Sequence, residues 1–257
     1  MSLAGRVALI SGGGRGIGRA ISMTLAADGA AIAVNYRKDA DAANETVAAI
    51  ESAGGRAKAY QASVDSFEQD EAMINAIVGD FGHIDILVNN AGLASRGNSV
   101  ADTDPAELER VLRTHAFGAH YLSKLVLPSM RAQARGDIIM ISSVAARMLA
   151  GNGGPYNMAK AACEALAMTL YKEERRNNIH VNIVAPGLVE TEMGVRLARA
   201  TRGISDIREL DAVSPFGRVC QPQDVANAVH FLVSEQASYL TGQKIEVDGG
   251  GASASTY

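Results

Sequence analysis

The sequence predicts an α/β fold in which a doubly wound parallel sheet carries helices on both faces. Three observations predict it: short apolar runs of strand length recur along the chain, helix-length segments separate them, and a glycine-rich turn stands between the first run and the first helix. The runs fall at 7–10, 32–34, 84–88, 138–141, 181–184 and 245–247. They are rich in Val and Ile, and most are continuous rather than alternating, the pattern of strands buried on both faces. Helical stretches lie between them at 16–28, 39–53, 66–81, 105–130, 155–177 and 222–234. Parallel strands need crossovers of this length, and such crossovers are right-handed.

Composition narrows the reading further. With 257 residues, 47% of them hydrophobic, the chain can bury a large core, and the unbroken alternation of elements without a low-complexity linker predicts one domain over 1–257. The balance of 24 Lys+Arg against 28 Asp+Glu gives a net charge of -4, and the one cationic cluster, Arg175-Arg176, sits beside Glu173-Glu174. Nucleic-acid binding therefore has no electrostatic footprint. Cys163 and Cys220 lack metal-ligand spacing and read as reduced thiols of a cytoplasmic protein, with no metal implied. The segment 1–6 runs into the first strand pattern with no basic and apolar leader, and no stretch offers 18 unbroken apolar residues, so no membrane role is expected.

The helices over 105–130 and 155–177 are the longest and are apolar on more than one face. Leu108, Val111, Leu112, Phe117, Tyr121, Leu122, Leu125 and Val126 exceed the stripe a sheet alone would cover. A subunit interface accounts for the excess; additional packing within one chain is the alternative.

Two constellations carry chemistry. In Ser11-Gly12-Gly13-Gly14-Arg15-Gly16-Ile17-Gly18, the glycines permit a tight turn and close approach of backbone to ligand, and the following helix offers its N-terminus to a pyrophosphate. A tight turn of no special function is the alternative for such a sequence taken alone. Pro155 suits the first position of a helix, which places Tyr156 and Lys160 at i and i+4 on one face. An ammonium beside a phenol favours the phenolate, as acid-base catalysis requires, although Tyr-x-x-x-Lys also occurs on ordinary solvated faces. Proton transfer beside a dinucleotide predicts hydride-transfer chemistry.

With these residues in place, the chain resembles the short-chain dehydrogenase/reductase family from end to end. Ser11 to Gly18 matches its T-G-x-x-x-G-x-G turn, with serine keeping the hydroxyl of threonine. Asn89-Asn90-Ala91-Gly92 matches the motif after its fourth strand, Ser143 stands at the family's spacing before Tyr156, and Pro186-Gly187 with Val189 and Thr191 matches the segment that meets the nicotinamide. Asp248-Gly249-Gly250 matches the C-terminal turn. The resemblance implies a single-domain Rossmann fold and a homotetramer. It also implies roles: Tyr156 exchanges a proton with the carbonyl or alcohol, Ser143 hydrogen-bonds the same oxygen, and Lys160 serves both the tyrosine and the nicotinamide ribose. Ser142 stands one position too far from Tyr156 and is assigned a structural role.

The resemblance also guides the choice of cofactor. Sites selecting NAD place a carboxylate at the end of the second strand, whereas NADP sites place arginine there. Here Tyr36 fills the acidic position, Arg37 follows, and Arg15 lies in the glycine turn, so NADP(H) is favoured and NAD(H) remains possible. Two positions depart from the family. Its Asp-Val pair near the adenine aligns with Ser63-Val64, with Asp65 one position later, and its catalytic asparagine aligns with His115 of His115-Ala116-Phe117-Gly118. His115 is expected to act mainly through its backbone carbonyl, anchoring a water toward Lys160, and its imidazole to titrate near neutral pH. His83, His120, His180 and His230 match no motif and are expected to be structural or exposed.

Substrate choice is expected in 144–152 and in a loop over about 188–215. Met148, Leu149, Met193, Val195 and Leu197, with Arg196, Arg199 and Arg202 interleaved, describe an apolar pocket with a basic rim. The stretch 184–193 looks most like 3-oxoacyl-[acyl-carrier-protein] reductases, which implies a small-molecule or acyl-thioester carbonyl as substrate. A dehydrogenase of a sugar, steroid or other secondary alcohol is the rival enzyme. A nucleotide-binding regulator without turnover is the rival of another class.

Overall fold

A computed structural model describes residues 3–251, with only the backbone described at Thr201 and Arg202. Among the described residues seven strands, β1 (Val7–Ile10), β2 (Ala31–Tyr36), β3 (Ala57–Gln61), β4 (Ile86–Asn89), β5 (Gly136–Ile141), β6 (Ile179–Pro186) and β7 (Lys244–Val247), form one sheet in the order β3-β2-β1-β4-β5-β6-β7. Every pairing is parallel. The chain winds outward from β1 to β3, then crosses back to β4 on the other side of β1. That reversal opens a crevice beyond the carboxyl ends of β1 and β4, where open α/β sheets bind ligands.

The continuous apolar strands are explained by two cores. Ala8, Ile10, Ile32, Val34, Ile86 and Val88 point to one face, under α1 (Gly16–Ala27), α2 (Ala40–Ser52) and, farther along the sheet, α9 (Pro222–Val233). Val7, Leu9, Ala33 and Leu87 alternate with them on the other face, under α3 (Phe67–Phe81), α5 (Gly118–Met130) and α7 (Gly154–Glu174). Because successive side chains leave a strand on opposite sides, a strand covered twice must be apolar throughout.

Two sequence expectations need correction. The apolar runs number six, whereas the sheet has a seventh strand, β3, whose Ala-Lys-Ala-Tyr-Gln sequence lacks β-branched residues and exposes Lys58 and Gln61 as an edge strand can. The helix expected over 105–130 is interrupted: α4 (Pro105–Leu112) and α5 are joined by a π-helical turn, Arg113–Phe117. Each π turn holds an extra residue, and such turns gather at functional sites. His115 sits within this one.

The outer faces of the long helices remain partly open. Leu108, Leu112, Tyr121 and Leu125 are half-buried and Phe117 and Met158 are exposed. Between β6 and α9 lie α8 (Glu192–Arg202) and several 3-10 turns, held by a small apolar cluster of Ala198, Ile207, Leu210 and Val219. A short helix, α6 (Ala145–Met148), follows β5.

Candidate active site

The glycine turn leaves β1 at the crevice and is locked to the loop after β4. Ser11 Oγ donates to the Val88 carbonyl at 3.2 Å and accepts from the N–H groups of Asn90 and Ala91, both at 2.9 Å. Asn90 Nδ2 donates back to the carbonyls of Ser11 at 2.8 Å and Gly12 at 3.2 Å. Both side chains, expected at the cofactor, thus use these polar atoms to join the two loops that would cradle it. Gly18 is required by this closeness: a Cβ there would fall 2.1 Å from the Gly12 carbonyl oxygen. Gly12 and Gly16 hold positive φ, and Gly14 abuts the Ala43 backbone.

The same turn fits a pyrophosphate. Among the described residues no side chain caps α1, and its first turn holds no acidic residue. The leading N–H groups of a helix have no intrahelical acceptor, and its dipole favours an anion at that end. Ile17 lies in this first turn, and Arg15, the N-cap, reaches outward to Glu192 at 3.1 Å and Asp39 at 3.6 Å. Tyr36 ends β2 half-buried, and Arg37 beyond it is exposed.

Ser63 and Val64 lie past the end of β3. Ser63 Oγ donates to Asp65 at 2.6 Å, and the Ser63 N–H donates to Gln69 at 2.9 Å. The serine therefore holds the carboxylate that its own position lacks. Val64 is buried against Gly118, where a Cβ would lie 2.6 Å from the Val64 carbonyl oxygen.

Two side chains of α7 and one just past β5 make up the rest of the candidate site. Pro155 stands in the first turn of α7, and Tyr156 follows, half-buried. One turn on, Lys160 is buried, its ammonium donating to the Ile141 carbonyl at 2.7 Å and lying 5.6 Å from the Tyr156 ring centre. Ser143, just past β5, accepts from the Ala145 N–H at 3.2 Å and donates a long bond to the Pro186 carbonyl at 3.4 Å, which leaves its hydroxyl weakly committed. Ser142 is engaged elsewhere, donating to Glu164 at 2.7 Å. Pro186 ends β6, the Gly187 N–H donates to Val247, Val189 is buried, and Thr191 caps α8 by accepting from the Gly194 N–H at 3.0 Å.

His115 departs from expectation. Its ring is buried edge-on to Tyr156, with centres 5.4 Å apart at 89°, and it packs so closely on Gly92 that a Cβ there would lie 2.4 Å from Cε1. Nε2 faces both backbone groups of Leu93, 2.8 Å from the carbonyl oxygen and 3.1 Å from the nitrogen, so either neutral tautomer finds a partner. Burial, reinforced by the Lys160 ammonium, pushes the imidazole down to about 3, against which the bond to Leu93 works only partly. The titration near neutral pH expected from sequence is corrected accordingly. The His115 carbonyl accepts the Cys163 thiol at 3.0 Å. Beside it, Lys160, Asn89 and His115 line a cavity of about 10 Å³, the room one water occupies. The Asn89 side-chain oxygen has no partner among the described residues.

Sequence reasoning missed the partners of Arg15. It also missed Glu164, Lys244 and Arg147, which tie Ser142 and α6 to β7 through Lys244–Glu164 at 2.9 Å and Arg147–Glu246 at 2.9 Å. No motif marks them. Of the other histidines, His83 pairs with Asp85 at 3.0 Å and His230 with Asp28 at 2.8 Å, both away from the crevice. Met148, Leu149, Met193 and Leu197 are exposed beside the site, Arg196 pairs with Glu192, and the Arg202 side chain lies outside the described residues.

Known proteins are similar to this chain along almost its full length. The family model described as enoyl-(acyl carrier protein) reductase matches residues 12–252. The 3-oxoacyl-[acyl-carrier-protein] reductase FabG of Escherichia coli (strain K12) is 37% identical over 254 residues, covering 97% of this chain and 98% of that one. Among solved structures, a 7α-hydroxysteroid dehydrogenase complexed with NADH and 7-oxo glycochenodeoxycholic acid superposes with a TM-score of 0.87 at 36% identity, covering 97% of this chain and 95% of that one. The angucycline C-6 ketoreductase LanV with bound NADP gives 0.87 at 33% identity, covering 97% and 96%.

Proposed function

This chain belongs to the short-chain dehydrogenase/reductase family, and from that premise we propose that it is an NADPH-dependent carbonyl reductase acting on 3-oxoacyl thioesters. The observation that carries the reading is the pairing of Tyr156 with Lys160, whose buried ammonium lies 5.6 Å from the phenol ring centre and is anchored on the Ile141 carbonyl at the end of β5, two residues before Ser143. NADPH bound there supplies the hydride. Tyr156 donates a proton to the substrate oxygen, and Ser143, its hydroxyl weakly committed, donates a hydrogen bond that orients the same oxygen. Lys160 places its side-chain nitrogen beside the phenol and, anchored by the Ile141 carbonyl, would present its remaining N–H donors to the nicotinamide ribose. A water in the cavity lined by Lys160 and Asn89 would return a proton to the lysine.

The whole chain, 1–257, serves as one NAD(P)-binding domain, with 188–215 as its substrate wall. Glycine-turn residues Gly12, Gly14, Gly16, Ile17 and Gly18 receive the pyrophosphate; Ser11 and Asn90, with Ala91 and Gly92, shape the cradle; Ser63 and Val64 lie at the adenine; and Pro186, Gly187, Val189 and Thr191 lie at the nicotinamide. Arg15 and Arg37 support the choice of NADPH, as does the relative with bound NADP. The relative with NADH keeps NADH as the second cofactor to try. The exposed apolar wall of Met148, Leu149, Met193 and Leu197 suits an acyl chain and equally favours a second reading, a dehydrogenase of steroid-like secondary alcohols. A homotetramer in the cytoplasm completes the proposal: the half-open faces of α4, α5 and α7 favour burial against further copies, and among the described residues no helix is long and apolar enough to cross a membrane.

The test is turnover on a panel holding a 3-oxoacyl thioester, a 7-oxo steroid and a sugar ketone, each with both cofactors. One arginine on the 2′-phosphate gives NADPH about a tenfold to hundredfold advantage in kcat/KM. The Tyr156→Phe variant should lose turnover while binding cofactor normally, and Lys160→Ala should lose both. A Phe variant with near-normal turnover refutes the assignment, and a wild-type protein that binds cofactor yet turns over nothing on the panel favours a regulator. Light scattering during size-exclusion chromatography should give a mass well above 26.8 kDa.

A further inference from the structure

The glycine turn and α8 touch each other through charge. Arg15 and Glu192 are both largely exposed, at 63% and 61% of their side chains, yet they pair at 3.1 Å across the mouth of the crevice. Glu192 is the first residue of α8, directly after Thr191, whose methyl lies 3.4 Å from a Cβ placed on Gly16. Asp39 approaches the same guanidinium at 3.6 Å, but its carboxylate also caps α2 by accepting from the Ala42 N–H at 3.1 Å. Arg37 differs: it is exposed, and among the described residues no carboxylate forms an ion pair with it. The two arginines assigned to the 2′-phosphate therefore stand in different states, one available and one already held by the segment that walls the substrate.

We propose that Glu192 is a specificity-tuning residue that competes with the 2′-phosphate of the cofactor for Arg15, so that filling the phosphate position releases the first turn of α8 from the glycine turn. The reasoning is electrostatic. A phosphate dianion that drew in the Arg15 guanidinium would bring its own charge toward the Glu192 carboxylate, so both anions cannot hold the cation closely without repelling each other. Glu192 has a second cation to retreat to, since it also pairs with Arg196 one turn along α8. Coupling of this kind is reciprocal: whatever holds α8 against the glycine turn weakens the phosphate, and the phosphate loosens α8. A cofactor without the 2′-phosphate leaves the pair intact.

This inference rests on the reading of Arg15 as a phosphate-binding residue, and the experiment separates the two. The full-length protein is titrated calorimetrically with 2′,5′-ADP and with 5′-AMP, as wild type, Glu192→Gln, Arg15→Gln and the double variant. Exposed ion pairs are weak, so Glu192→Gln should tighten 2′,5′-ADP by about twofold to fivefold, leave 5′-AMP unchanged, and have no effect once Arg15 is gone. Hydrogen exchange across 193–198 should rise on adding 2′,5′-ADP to the wild type and not on adding 5′-AMP. Equal binding of both nucleotides by the wild type removes the phosphate reading and this inference with it. A wild-type preference for 2′,5′-ADP that Arg15→Gln abolishes and Glu192→Gln leaves untouched overturns the inference alone, as does an exchange rate in α8 that both nucleotides change equally.

Discussion

Replacing His115 by asparagine should make the protein less sensitive to acid, and the size of the effect follows from the imidazole's surroundings. An unfolded chain protonates this histidine with the ordinary value of 6.5, whereas the native ring, buried between Gly92, Leu93 and Tyr156, is held down to about 3. Between those values the unfolded state binds more protons than the native state, so stability is complete above 6.5 and drains away as pH falls toward 3. At about pH 5 the loss is about 2 kcal/mol relative to about pH 7.5. Asparagine at this position carries no such linkage.

The assay is urea unfolding of wild type and His115→Asn at both pH values. Other titrating groups contribute equally to the two proteins and cancel, so the stability difference between them should shift by about 2 kcal/mol in favour of the variant as pH is lowered. His115→Leu should share that shift. It should also be destabilised at every pH by about 1 kcal/mol, because the half-buried backbone groups of Leu93 lose their hydrogen bond to the ring. The wild-type rate profile should show no step near 6.5 from this ring. Parallel pH dependence in wild type and His115→Asn, or a ring proton of His115 titrating near neutral pH by NMR, would falsify the account of a neutral, buried positioning group.

Gly92→Ala should destabilise the wild type by driving a Cβ to 2.4 Å from His115 Cε1, and by less in a His115→Asn background; equal costs in both, measured by urea unfolding, would show that the ring and Gly92 do not constrain each other. Asp70, fully buried on α3 with neither carboxylate oxygen partnered among the described residues, is pushed up to about 8 by burial and then by Asp65. Its effect has the opposite sign to that of His115: stability is greatest below 3.8 and declines as pH rises to about 8, so Asp70→Asn should raise Tm at alkaline pH and not near pH 4, and variant and wild-type curves that stay parallel would contradict it.

How much of this was legible from residues alone depended on whether the deciding contacts were local. Strands β1, β4, β5 and β6 announced themselves because burial on both faces forces continuous apolar runs, while β3 escaped because an edge strand tolerates Lys58 and Gln61. Tyr156 and Lys160 were legible for the same local reason: one helical turn and a proline fix their spacing whatever the rest of the chain does. The π turn at Arg113–Phe117 left no trace in the pattern, since apolar residues run through it at helical spacing.

Charge showed the limit most clearly. Arg15 and Arg37 look alike as cations near a phosphate, and only the fold brings Glu192, 177 residues away, onto one of them and not the other. His115 teaches the same point about polarity. A histidine in isolation is a group that titrates near neutrality, but the space between Leu93, Gly92 and Tyr156 admits it only as the uncharged ring. Residue type sets what a side chain is able to do, and distant backbone decides which of those abilities is expressed. The positions placed by local geometry, Tyr156 and Lys160, are therefore those where substitution should act on chemistry. The positions settled by distant packing, His115 and Arg15, are those where substitution should act through the shape and charge of the site around it.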